Sequence, residues 1–186
     1  LRSVEPRTAE DPELRNAVAI AYDAMGDATS AERVLAVGPQ NVQTWGMRAS
    51  LLAKQKDDVA LLALYTDLSK QATKPDPAQR LLLGKIAEYL KRHAEAVDWY
   101  LSVPGGEERA EARLRAASAQ YELGQTDKAF AGVHAIQSDA MIDDEARRDA
   151  YLLEAELRQR GDDLPGELDA LARGLASLLV QDFGIG

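Results

Sequence analysis

Cysteine is absent from the 186-residue chain, which excludes disulfides and thiolate chemistry without fixing a compartment. Aromatic residues make up only 5%, and valine and isoleucine together number 15. A sheet-rich fold draws heavily on β-branched and aromatic residues, so an all-β or doubly wound architecture is disfavoured. No stretch reaches the 18 or so apolar residues of a membrane-spanning helix, and the most apolar run, Leu171 to Val180, is broken by Arg173. Positive charge is scarce as well: 22 basic against 31 acidic side chains give a net charge of −9. Nucleic acids and anionic membrane surfaces need clustered Lys and Arg, so neither is an expected partner. The chain starts at Leu1-Arg2 with no hydrophobic run behind it, so no signal peptide is visible, and the missing initiator Met leads us to expect a piece of a longer protein.

What is abundant is alanine, at 32 residues, and leucine, at 25, both strong helix formers. The expected fold class is therefore all-α. The helices are organised by a repeat. Turns read Met25-Gly26-Asp27, Lys56-Asp57, Lys91-Arg92-His93, Leu123-Gly124-Gln125 and Arg160-Gly161-Asp162. Taking Gly26, Lys56, Lys91, Gly124 and Gly161 as equivalent gives spacings of 30, 35, 33 and 37 residues.

The period is close to the ~34 residues of a tetratricopeptide (TPR) unit, and the side chains resemble that repeat too. Leu83-Gly84 sits where the repeat places its Leu-Gly pair, Tyr22 at the large first-helix position and Trp45 at the early tryptophan. Ala31, Ala96 and Ala129 fall on the small second-helix position, with Leu35, Tyr65, Tyr100 and Val133 on the bulky one. Paired helices come within ~8 Å only where one presents a small side chain, and a bulky residue one turn later fills the next gap. Asp11-Pro12 and Asp76-Pro77 each set an acidic N-cap before proline, and Gln79 completes a capping box with Asp76.

These signals place first helices at 12–25, 42–55, 77–91, 107–123 and 144–160, and second helices at 28–37, 58–70, 94–103, 126–137 and 165–180. The expected architecture is a right-handed superhelical α-solenoid of about five hairpins (12–38, 42–70, 77–104, 107–138, 144–180), forming one domain over 1–186. The fifth hairpin departs from the pattern, with Pro165-Gly166 at the small position.

No catalytic constellation emerges, and neither an enzyme nor a cofactor or metal is expected. The acid pairs Asp57-Asp58, Asp143-Asp144 and Asp162-Asp163 stand at turns or helix starts, where carboxylates cap free N–H groups. His93 and His134 lack the i, i+4 partner of a helical metal site, and Gly105-Gly106 lacks a phosphate-binding frame. Function is expected on the surface instead, in a concave groove lined by first helices: Asn16, Ile20 and Asp23; Gly46, Ser50 and Ala53; Leu81, Lys85 and Glu88; Leu114, Ser118 and Tyr121; Tyr151, Ala155 and Arg158. Leu and Tyr anchors there suit an amphipathic helix or an extended peptide, with packing between first helices as the alternative. The carboxylate clamp of some TPR proteins needs Lys, Arg and Asn where this chain has Ile20, Met47, Ser50 and Leu81, so that resemblance fails.

A more particular resemblance lies in Leu82-Leu-Gly-Lys-Ile-Ala-Glu, Ala96-Val-Asp-Trp-Tyr-Leu-Ser-Val-Pro-Gly-Gly106, Ala112-Arg-Leu-Arg115, Gly124-Gln-Thr-Asp-Lys-Ala129 and Tyr151-Leu-Leu-Glu-Ala-Glu156. Over residues 78–175 the chain resembles TPR outer-membrane lipoproteins of Gram-negative bacteria. That resemblance implies a non-catalytic adaptor bringing cell-wall hydrolases to a periplasmic carboxyl-terminal processing protease, anchored at the outer membrane in the full-length protein. The alternatives are a structural or assembly module, self-associating through its C-terminal helix or part of an export or polysaccharide-secretion machine, and a cytoplasmic scaffold. The motive for self-association is the apolar set Leu171, Ala172, Leu175, Leu178, Leu179 and Val180.

Overall fold

The computed structural model describes residues 1–71, 74 and 76–183. Among these are ten α-helices and one short 3-10 turn, Glu5–Arg7, with no strand. The helices are α1 (Pro12–Ala24), α2 (Ala28–Leu35), α3 (Val42–Lys54), α4 (Asp58–Gln71), α5 (Pro77–Tyr89), α6 (His93–Leu101), α7 (Glu108–Glu122), α8 (Thr126–Gln137), α9 (Asp144–Arg160) and α10 (Leu164–Phe183). The all-α expectation holds, and the predicted ends fall within about two residues of those found, except that α10 continues to Phe183.

Local chemistry accounts for the boundaries. Asp11 accepts from the amides of Glu13 and Leu14 at 3.0 Å with Pro12 at the first helical position. Asp76 and Gln79 exchange the reciprocal bonds of a capping box, at 2.8 and 3.2 Å. One acid of each pair singled out above is a cap: Asp57 accepts from Ala60 N, Asp143 from Ala146 N and Asp163 from Gly166 N.

The hairpin turns share one closing device. The N–H donors of Asp27, Asp57, Gln125 and Asp163 reach back to the carbonyls of Tyr22, Leu52, Gln120 and Arg158, at 2.9–3.0 Å. This is the six-to-one bond of a Schellman C-cap, and it requires the residue before each donor to be left-handed. Those residues are Gly26, Lys56, Gly124 and Asp162, with φ between 56° and 80°. The fifth turn therefore corrects the sequence alignment: its left-handed residue is Asp162, and Gly161, at φ −91°, is still at the helix C-cap.

The chain divides into two compact units, Leu1–Leu90 and Lys91–Gly186. The boundary falls in the turn of the predicted third hairpin. In the first unit Val18, Ala19 and Tyr22 of α1 close on Ala31, Val34 and Leu35 of α2, with Leu51 of α3 against them. In the second, Ala117 of α7 meets Ala129, Val133 and Ile136 of α8 and Ala150 and Leu157 of α9. Ala31, Ala96 and Ala129 are fully buried, as their small-position assignment requires. Burying a side chain such as Leu35 contributes about 2 kcal/mol.

Candidate partner-binding surfaces

In the first unit the sequence-derived groove positions of α3 converge on a crevice. Gly46, Ala49, Ser50 and Ala53 recur at helical spacing and present one small-residue face of α3. Leu82, Lys85, Ile86 and Tyr89 of α5 form the opposite wall of a crevice of about 230 Å³. The space exists because α3 offers no side chain to fill it, and even a Cβ on Gly46 would stay 3.9 Å from Leu82. Tyr89 donates to the carbonyl of Ala53 at 3.0 Å, tying the two helices together at one end.

The remaining predicted positions are distributed differently. Leu81 is turned into the core, and its neighbour Leu82 lines the crevice instead. Glu88 is half-buried on α5, and Asn16 is half-buried on α1 with its Oδ1 buried and unpartnered. Ile20 is exposed, while Asp23 is bound to Lys54 at 2.5 Å. Leu114 and Tyr121 pack against the α7–α9 core, Tyr121 meeting Phe130 edge-on at 6.5 Å with Arg160 stacked 4.9 Å over its ring. On α9, Ala155 is buried and Tyr151 lies against Gly174 of α10, so close that an added Cβ there would approach the Tyr151 Cβ to 2.9 Å. Arg158 is bound to Asp163 at 2.9 Å and lies 4.3 Å over Phe130. Leu81 is thus buried, and Leu114, Tyr121 and Tyr151 are half-buried against neighbouring helices, in line with the packing alternative, while Tyr151 and Arg158 also line a shallow pocket beside His134. The solvent face of α9 runs one residue later than expected, through Arg148, Leu152 and Glu156.

A polar network that local patterning does not place surrounds Glu154, which is 1% exposed on α9. Its carboxylate accepts from Gln137 at 2.7 Å, Arg173 at 2.9 Å and His134 at 3.1 Å. Burial alone would push this carboxyl up, but these hydrogen bonds and the Arg173 charge bring it below the usual range. The lowered pKa marks a satisfied structural charge. Among the described residues no group of three or more His, Asp or Glu is placed to hold a metal, and no helix is long and apolar enough to cross a membrane.

The last helix carries a separate feature. Leu164, Leu168, Leu171 and Leu175 stand 40–61% exposed at alternating spacings of four and three, and Leu179 is 48% exposed. That is the spacing of a helix-pairing seam.

Two crystal structures match the chain, both of nearly identical TPR-like repeats from a Podosopora anserina protein described as kinesin light chain-like. One is 15% identical and covers 88% of this chain and 92% of that one, with a TM-score of 0.69. The other is 14% identical, covers 92% and 96%, and has a TM-score of 0.68. At this identity the likeness is one of fold: an all-α, TPR-like α-solenoid. No family model and no curated protein matches the sequence.

Proposed function

We propose that the chain is a non-catalytic protein-binding scaffold, and that the crevice between α3 and α5 receives an apolar side chain from a partner peptide or helix. What supports this is the crevice itself, an open space walled by small and aliphatic groups on a TPR-like fold. A few buried anchors supply most of the affinity of such surfaces. In its finer form the partners are a periplasmic processing protease and its cell-wall hydrolase clients, with the full-length protein held at the outer membrane; this form rests on the resemblance of residues 78–175 alone. A photo-crosslinking residue at exposed Ser50 tests both levels. Cross-linked protein from extract, lost when Ala53→Leu fills the crevice, supports the scaffold. A protease or hydrolase in the adduct supports the adaptor, and no adduct from any extract overturns the crevice.

The leucine seam of α10 favours a second reading, assembly. Two copies paired through Leu168 and Leu175 would cover it. Analytical ultracentrifugation should then show a dimer that Leu168→Glu with Leu175→Glu converts to monomer. A monomeric parent chain at high concentration would end this reading.

A further inference from the structure

The second unit holds a groove that differs in chemistry from the crevice. It is about 470 Å³ in volume, lies along α7 and α8 and is open to solvent. Because α7 and α8 are antiparallel, residues face each other in rungs, and Arg113 stands level with Ala135, Ala116 with Gly132 and Gln120 with Lys128. The residues between these rungs are small, Ala116, Gly132 and Ala135. In a chain of net charge −9, most arginines of this unit are spent on carboxylates. Arg109, Arg113 and Lys128 are not: among the described residues none of them makes a side-chain hydrogen bond or ion pair, and all three face this groove. The groove's own acids, Glu107, Asp139 and Asp143, gather at the end where α7 begins. Asp139 and Asp143 already accept from the amides of Met141 and Ala146. None of the groove-lining residues between the Arg113 and Lys128 rungs is acidic.

A second observation points the same way. Gln120 is 8% exposed and lines the groove, and its side-chain amide has no hydrogen-bond partner among the described residues. An amide without a protein partner can exchange water for a ligand, and its NH2 donor and carbonyl acceptor are the complement of a peptide unit.

We propose that this groove binds an acidic, extended peptide segment of a partner protein, with carboxylates paired to Arg113 and Lys128 and a peptide unit hydrogen-bonded to Gln120. The spacing sets the motif. Seven residues of α7 separate the Arg113 and Gln120 rungs, about 10 Å along the groove. In the polyproline II conformation residues three apart share a face and lie about 9 Å apart, so the two carboxylates stand at i and i+3. The site is independent of the α3–α5 crevice, and either can fail without the other.

The test uses a fluorescein-labelled peptide with two glutamates three residues apart and prolines between them, titrated by fluorescence anisotropy. Saturable binding at low salt that weakens as salt rises is expected, with no binding by the same peptide carrying lysines. Arg113→Glu and Lys128→Glu should each weaken it at least about tenfold, the loss of one charge-assisted contact. Each reversal should also confer binding on a peptide with one matching lysine. Lys56→Glu and Lys70→Glu, which reverse cations of the first unit that have no partner among the described residues, should leave it unchanged. Ala135→Trp, which fills the groove from an exposed position, should abolish binding while the helical circular dichroism spectrum is retained. An acidic peptide that fails to bind the parent chain, or that is weakened as much by the first-unit reversals as by Arg113→Glu, overturns the proposal.

Discussion

An added Cβ on Gly38 would lie 2.5 Å from Nη1 of Arg15 and 2.8 Å from the carbonyl oxygen of Ala9. Gly38 is left-handed, at φ +82°, just past the end of α2, and Arg15 on α1 spends its guanidinium there, donating to the carbonyls of Val37 at 2.5 Å and Pro39 at 2.6 Å. A 1% exposed arginine with no carboxylate partner among the described residues is thus held by backbone carbonyls of the loop that follows α2. Gly38→Ala meets both the backbone penalty and the two contacts, so it should destabilise the first unit by about 2–3 kcal/mol in urea unfolding. An Ala equal to Gly in stability would show that the Arg15 anchor is dispensable.

Glu154 is the counterpart in the second unit. Removing it takes one acceptor each from Arg173, which keeps Asp169 at 2.7 Å, and from Gln137, next to the α9–α10 contact. Glu154→Ala should cost about 1–2 kcal/mol, the loss of hydrogen bonds to a charged group, because Arg173 is 41% exposed and remains paired with Asp169. The double variant Glu154→Ala with Arg173→Ala should cost less than the sum of the two, because the pair is already broken. Additive losses would mean that Arg173 does not stabilise the carboxylate.

These two charged residues show where the sequence was legible and where it was not. Periodicity, turn residues and proline after an acid set nearly every helix boundary, since those signals act within a few residues. Arg15 stands on the same stripe of α1 as Val18, Ala19 and Tyr22, and Glu154 on that of Ala150 and Leu157. A charge on an apolar stripe was the available clue to both, but its partners come from distant turns that local patterning does not place. The groove register suffered from the same limit. One residue is 100° of helix, enough to put Leu81 in the core and Leu82 in the crevice, and spacing alone does not choose between adjacent stripes. On α3 the choice between stripes matters less, because Gly46, Ala49, Ser50 and Ala53 are all small.

The Schellman turns make a different prediction. Lys56 takes φ 56° and Lys91 φ 60° where Gly26 and Gly124 occupy the same turn position. A side chain in this region is strained by about 1–2 kcal/mol, part of which glycine returns as unfolded-state entropy. Lys56→Gly and Lys91→Gly should each stabilise by about 0.5–1 kcal/mol. Lys91→Val, which cannot relax into this conformation, should move stability the opposite way. Thermal unfolding of the three variants settles the sign.

The acid limb of stability should depend on the first few residues. Glu5 accepts from Arg33 at 2.9 Å and from the Tyr22 hydroxyl, and the Arg33 hydrogen bond, followed by that of Tyr22, holds its carboxyl down at about 2 against an ordinary 4.5. A carboxyl depressed on folding stabilises the native state fully above its unfolded value and loses that contribution as pH falls through the folded one. The window is therefore pH 4.5 to 2, within which the parent chain should lose melting temperature faster than Glu5→Gln. The same contact raises the Tyr22 phenol above 10, chiefly through its hydrogen bond to Glu5, so this contribution is present below pH 10 and lost as pH rises through the raised value. Glu5→Gln should flatten both limbs, since one carboxylate serves both. If the melting curves of parent and variant run parallel from pH 7 to pH 2, the turn Glu5–Arg7 is not held on α1 and α2 by this charge.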